Sequence, residues 1–312
     1  MWPKQLQIFQ LSRSTSITLD SLTEQLGSLA FHPCLPSMPL SVGWAPVLDE
    51  EGAPLVRAMN HYLLFSMQIE EKILPATVVR QAVNEKIKEI ETIENRKVRG
   101  KEKYSLKEET TITLLPQAFS RFSRVYAYID LKERLLMLGT TNAAKTEQFM
   151  NIFKKAVGIE VTSLNLKKCA TIMTHWLKEK DYPSSFSIEK ACVLQDPDQQ
   201  NRVIRCQQQD LFSRSIQPLI KEGFEVKQIA MNWYDKVNLV LVDDFTLRSI
   251  QFSDEVKDQT DELEPESKLQ QLDADFLIFS ATLSEVLREL MAVFLKQEAT
   301  HSKEQEMATV DV

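Results

Sequence analysis

Apolar residues along this chain change their period several times, and each change marks an element. Residues 5–12 are short and apolar enough for a strand. Thr18 or Asp20 is placed to cap a helix running to about Ala30, where His32-Pro33-Cys34-Leu35-Pro36 breaks it. Strand-like segments follow at residues 40–47 and 62–69. The most regular stretch comes next. Pro75 sits at a first helical turn, and Val79, Val83, Ile87 and Ile90 recur at spacings of four, four and three. That helix is predicted to end near Gly100. A second helix, residues 105–115, returns with Ser105 and Glu108 in a capping-box arrangement. Together the two predict a helical hairpin projecting from a sheet.

After Pro116 the period becomes two. Residues 125–129 and 134–139 read as a β-hairpin, and residues 141–157 as a helix with Phe149, Ile152 and Phe153 on one side. Residues 226–233, 237–242 and 246–252 read as a three-stranded meander. A helix over residues 282–297 presents Leu283, Val286, Leu287, Leu290 and Val293, and the residues from about Glu298 are polar and expected to fray. The β-β-α echo between the halves is too weak to count as a repeat. The pattern predicts an α+β fold with antiparallel sheets, packed helices and an inserted helical hairpin. The expected division is residues 1–74 with 117–165 as a central domain, 75–116 as the hairpin tip, and 166–312 as a second α+β domain.

Composition leaves this picture standing. At 312 residues, 43% hydrophobic and 26% charged, the chain can bury a sizeable core. The N-terminal residues lack the apolar core of a secretory signal, and no stretch is apolar for long enough to span a bilayer. Cys34, Cys169, Cys192 and Cys206 are scattered and form no CxxC pair, so reduced thiols in the cytoplasm are expected. The net charge of −7 argues against nucleic acid until its distribution is considered. Residues 241–280 hold eleven acidic residues and three basic ones, which leaves the rest of the chain at +1.

The seven glycines form no phosphate-cradling motif, and the four histidines are too dispersed for a local zinc motif. His32 near Cys34 is best explained as loop structure. The acidic run from Asp254 to Glu266 lacks the EF-hand order and reads as a solvated loop. Asp243-Asp244 reads as a hairpin turn, with a metal-dependent nuclease as the alternative use of these carboxylates. Trp2, Trp44, Trp176 and Trp233 are expected to serve as packing. No catalytic residue, metal or cofactor is expected.

Two features suit a polyanion. Nine basic residues and five glutamates lie between Arg80 and Lys107, and in the helix body Lys86 and Lys88 could be ion-paired with Glu85, Glu89 and Glu91. The tip differs, because Arg96, Lys97, Arg99, Lys101 and Lys103 face only Glu102. The second feature is Phe119-Ser120-Arg121-Phe122-Ser123-Arg124, where arginines and serines could meet phosphate oxygens. In a strand, Arg121 and Ser123 share one face, and Phe122 and Arg124 the other. A half-buried strand with surface arginines explains the run equally well.

Several stretches resemble the RdgC family. They are Leu26-Gly27-Ser28-Leu29-Ala30-Phe31-His32-Pro33-Cys34, Gly43-Trp44-Ala45-Pro46, Glu70-Glu71-Lys72-Ile73-Leu74-Pro75 and Leu115-Pro116-Gln117-Ala118-Phe119-Ser120-Arg121-Phe122. Ile204-Arg205-Cys206-Gln207-Gln208-Gln209-Asp210-Leu211 and Asp273-Ala274-Asp275-Phe276 follow in the family order. The resemblance implies a non-enzymatic, nucleoid-associated homodimeric ring that encircles double-stranded DNA with little sequence preference and restrains RecA-driven recombination. Single-stranded DNA is a further expected partner; a membrane is not. It places Phe119 at a subunit contact that closes the ring, and Gln208 and Gln209 on the lining of the hole, with Arg205 beside them. Family members can carry lysine at the position of Gln208, so the glutamine here implies weaker, less salt-dependent binding.

Overall fold

The computed structural model describes residues 3–12, 16–50, 52–164, 166, 168–262 and 265–310, with side chains described as far as residue 296 except at residue 261. Among the described residues the elements form two antiparallel sheets with helices packed against them, an α+β fold. Among the described residues no helix is long and apolar enough to cross a membrane.

The first sheet draws on β1 (Gln7–Leu11), β2 (Leu40–Ala45), β3 (Val56–Met59), β4 (Tyr62–Ile73), β5 (Phe119–Asp130), β6 (Leu135–Leu138) and β7 (Val161–Ser163). Its order is β2-β4-β5-β6-β1-β7, with β3 also paired to β4. The long β4 and β5 pair over their whole length, from Tyr62 opposite Asp130 to Ile73 opposite Phe119. Between them in sequence lie α2 (Ala76–Glu94) and α3 (Gly100–Leu114), so the helical hairpin grows from the open end of this ladder.

Strand β4 is buried almost without interruption over residues 62–70 because both faces of the sheet are covered. Leu63, Phe65 and Met67 join Trp44, Phe149 and Phe153 in one core, beneath α1 (Leu19–Gly27) and α4 (Ala143–Val157). The rings of Trp44, Phe65, Phe149 and Phe153 meet at centroid distances of 5.2–6.2 Å. On the other face, Tyr62, Leu64 and Tyr128 meet Phe276 and Phe279 of the long helix α8 (Lys268–Val310). Gly43 allows the segment before β2 to approach closely, since a Cβ there would fall 2.5 Å from Phe31 Cα.

The second sheet has the order β12-β11-β10-β8-β9, built from β8 (Phe186–Gln195), β9 (Val203–Gln207), β10 (Glu225–Trp233), β11 (Val237–Val242) and β12 (Leu247–Phe252). One face packs against α5 (Cys169–Glu179) and α8 around Trp176, Met231, Leu239 and Phe294. A short α6 (Gln217–Lys221) precedes β10, and α7 (Asp254–Asp261) leads into α8. The sheets are joined through Leu6 and Leu247, which exchange backbone hydrogen bonds of 2.8 and 2.9 Å. Arg57 donates two hydrogen bonds to Asp273 of α8 at 2.9 and 2.6 Å. Tyr62 Oη donates to Ser284 Oγ, which donates to the buried Asp130, each at 3.0 Å.

Four boundaries differ from the sequence reading. Helix α2 ends at Glu94 rather than near Gly100, because Asn95 takes a left-handed conformation (φ 49°). Helix α3 starts at Gly100, which puts Ser105 inside the helix and removes the capping box expected there. The acidic run is not a loop at its start. Ser253 accepts a hydrogen bond from Val256 N and caps α7, whose first-turn Asp254 and Glu255 suit a helix N-terminus. Helix α8 begins well before residue 282 and continues through Val310, where fraying was expected.

Candidate nucleic-acid interface

The hairpin tip is a built turn. Val98 is buried, and its N–H is accepted by Glu91 Oε1 at 3.1 Å. Arg96 donates two hydrogen bonds to Glu102, at 2.7 and 2.6 Å, and one to Glu94 at 2.5 Å. Its guanidinium is held above its ordinary pKa by the bonds to Glu102 and then Glu94. Arg96 thus shapes the turn rather than presenting a free charge. Lys97, Arg99, Lys101 and Lys103 are exposed, and none has a carboxylate partner among the described residues.

At the base of the hairpin, β4 and β5 present apolar surface. Phe119 is 85% exposed and sits opposite Ile73, itself 47% exposed. Phe122, at 57%, lies on the other face of β5. Arg121 and Arg124 fall on opposite faces, as period two requires, and both have partners. Arg121 meets Glu71 at 2.6 Å. Arg124 reaches Gln68 at 2.8 Å, Val47 O at 3.1 Å and Asp49 at 2.5 Å, which leaves its guanidinium little capacity for a phosphate.

Beside Phe122, the buried carboxylate of Glu70 ties three segments together. Ser120 Oγ donates to it at 2.6 Å and Cys34 N at 2.7 Å. Those bonds, the serine's first, hold Glu70 below its usual pKa although burial opposes this. A depressed carboxylate stabilises the fold above its unfolded pKa, and that stability is lost as pH falls through the folded value. Hydrogen bonds to a charged acceptor contribute roughly 1.5–3 kcal/mol. Glu70→Gln should therefore lower stability to urea at neutral pH, and its difference from wild type should shrink in acid. A difference independent of pH would show that the charge of Glu70 is not what holds this join.

The third region is the face of the second sheet turned away from α5 and α8. Register pairs share a face, and Val193 lies opposite both Arg205 and Gln228 while Val240 lies opposite Arg248. With Gln207 these residues line a depression of about 390 Å3. Arg205 is exposed and without a carboxylate partner among the described residues. Arg248 Nε is buried and unpartnered among them. Gln208 is exposed just past the end of β9 in a left-handed conformation (φ 52°). Gln209 is partly buried, donating from Nε2 to Ser215 Oγ at 2.7 Å and from its backbone N to Lys190 O at 3.2 Å. The structure thus places Arg205, Gln208 and Gln209 on one stretch of chain at the edge of this face. The sequence reading missed Gln207, Gln228 and Arg248, which only the pairing of β8 to β12 brings together.

The residues considered for metal chemistry have structural roles. Asp243 pairs with Lys227 at 3.3 Å, and Asp244 accepts from Thr246 N at 3.0 Å in the turn between β11 and β12. Among the described residues no group of three or more His, Cys, Asp and Glu side chains is placed to hold a metal. Cys34 lies in a loop and is raised in pKa by burial, and His32 O accepts from Ser41 Oγ in the same loop. Trp44, Trp176 and Trp233 are core residues, while Trp2 lies outside the described residues.

A family model described as "Putative exonuclease, RdgC" matches residues 1–297. The Recombination-associated protein RdgC of Yersinia enterocolitica is 33% identical over 96% of this chain and all of its own length. Its namesake in Proteus mirabilis is 31% identical over 94% of this chain and 98% of its own, and that of Yersinia pestis 32% over 96% and 100%. With near end-to-end coverage at this identity, the chain belongs to the RdgC family.

Proposed function

We propose that this protein binds duplex DNA without sequence preference, as a closed ring of two copies, and performs no covalent chemistry on it. The observation that carries the reading is an asymmetry of charge. In a chain of net charge −7, four cations at the hairpin tip and Arg205 on the second sheet stand without carboxylate partners among the described residues. A cluster of such cations within seven residues of the hairpin tip favours a polyanion there. The sheet face around Arg205 also presents Gln207, Gln228 and Arg248, side chains able to donate to phosphate oxygens.

Two copies are supported by the apolar surface at the hairpin base. Phe119 and Ile73 are side by side and exposed, and such a patch calls for a partner. A ring retains DNA by topology, so few strong contacts suffice. The relatives' shared name ties them to recombination. Carried to this chain, a ring on duplex DNA obstructs RecA-driven strand exchange and places the protein on the nucleoid.

The test is at Gln208. Gln208→Lys adds a charge beside Arg205 and keeps a non-glycine residue at the left-handed position. Duplex affinity should rise and its dependence on log salt steepen by about 0.9 per added phosphate contact, equally for unrelated sequences. Coincident titrations of variant and wild type would mean that Gln208 does not face DNA.

A further inference from the structure

Cys192 of β8 and Cys206 of β9 stand directly opposite each other in the second sheet. Register partners in an antiparallel pair share a face, with Cβ atoms roughly 4.5–5.5 Å apart. A disulfide spans Cβ atoms about 3.5–4.5 Å apart, so a small adjustment of the two strands joins these residues. Both are thiols in the structure, and both are buried among the core residues of the sheet. The Cys192 thiol is pushed up by burial first and then by the neighbouring Cys206. The other two cysteines have no such placement, since Cys34 lies in a loop and Cys169 opens α5.

Burial by itself would leave the pair inert, because the thiolate is the form that reacts. Strand β9 provides the access. It is five residues long, lies at the edge of its sheet, and pairs with β8 alone among the described strands. Val203, Arg205 and Gln207 on it are exposed. A short edge strand with few buried contacts opens locally far more often than the whole domain unfolds. Each opening brings Cys206 into water, where a thiol has its ordinary acidity, and each closure returns it to Cys192.

We propose that Cys192 and Cys206 form a reversible oxidation site, closed to an intramolecular disulfide by hydrogen peroxide and reopened by thiol reductants. In the open state the Cys206 thiolate attacks one peroxide oxygen. The O–O bond breaks, the second oxygen leaves as water after protonation, and Cys206 becomes a sulfenic acid. On closure the Cys192 sulfur attacks the Cys206 sulfur. The S–S bond forms, the S–O bond breaks, and the hydroxyl leaves as water with the Cys192 proton. Two thiols are oxidised by two electrons and one peroxide becomes two waters. A dithiol reverses the bond by exchange. The disulfide fastens the edge strand that carries Arg205 and prevents it from opening.

The test uses the full chain exposed to excess hydrogen peroxide overnight, alkylated under denaturing conditions, digested and read by mass spectrometry. A peptide pair linking Cys192 to Cys206 should accumulate within the monomer chain and disappear with dithiothreitol. The thermal midpoint should rise by several degrees on oxidation, because the bond restricts the unfolded chain. Cys206→Ala should abolish both the linked pair and the rise, and Cys34→Ser should leave both intact. If Cys206→Ala fails to fold, the linked pair and its dithiothreitol sensitivity in the unaltered chain decide the matter. Recovery of Cys192 and Cys206 as alkylated thiols after the exposure would overturn the proposal. So would a link from Cys206 to any other cysteine, or its oxidation to sulfinic acid with no link formed.

Discussion

Replacing Lys97, Arg99, Lys101 and Lys103 together by glutamine should weaken binding to every duplex and flatten its salt dependence. Each lysine or arginine on a phosphate releases counterions, so the slope of log affinity against log salt should fall by about 0.9 for every phosphate no longer neutralised. Near physiological salt that corresponds to about fivefold in affinity per phosphate, or about a thousandfold if all four side chains touch DNA. The choice of residues follows from the structure. Arg96 must stay, because its bonds to Glu94 and Glu102 hold the turn, and removing it would confuse a folding effect with a loss of DNA binding. The other four are exposed and have no carboxylate partner among the described residues, so thermal unfolding should be unchanged. Filter binding at several salt concentrations reads both quantities. An unaltered slope with unaltered affinity would remove the hairpin tip from the interface.

Phe119→Ala should weaken the dimer by about 2 kcal/mol or more, about thirtyfold in its dissociation constant, as truncation of an aromatic anchor commonly does. The monomer should not notice the change. A buried phenylalanine cut to alanine loses roughly 3–5 kcal/mol of fold stability, but Phe119 is 85% exposed and contributes little packing of that kind. Sedimentation across a dilution series should shift toward monomer for the variant, while urea unfolding of dilute protein matches wild type. An unchanged mass distribution would show that Phe119 is surface without a partner.

What could be read in advance depended on how far each signal reaches along the chain. The seam of Val79, Val83, Ile87 and Ile90 and the period-two run after Pro116 are local, and both became the expected elements. The end of α2 was misplaced because Asn95 rather than Gly100 takes the left-handed turn, and asparagine also tolerates that conformation. Strand β8 was missed because its burial does not alternate cleanly across the bulged pairing with β10. The site was less legible than the fold. Arg124 and Lys97 look alike in sequence. Yet one is tied to Asp49, Gln68 and Val47 and the other has no carboxylate partner among the described residues, a difference set by residues up to 77 positions away. Gln228 and Arg248 joined Arg205 only through the order of the sheet.

Encirclement is tested most directly by escape from DNA. Protein is loaded at low salt onto a covalently closed circular duplex and onto the same molecule cut once, and both are then challenged with high salt. A ring threaded on DNA gives up its ionic hold but cannot slide off a closed circle. Protein should therefore remain on the circle and leave the linear form, and cutting the circle should release it. Equal, rapid loss from both forms would contradict the ring.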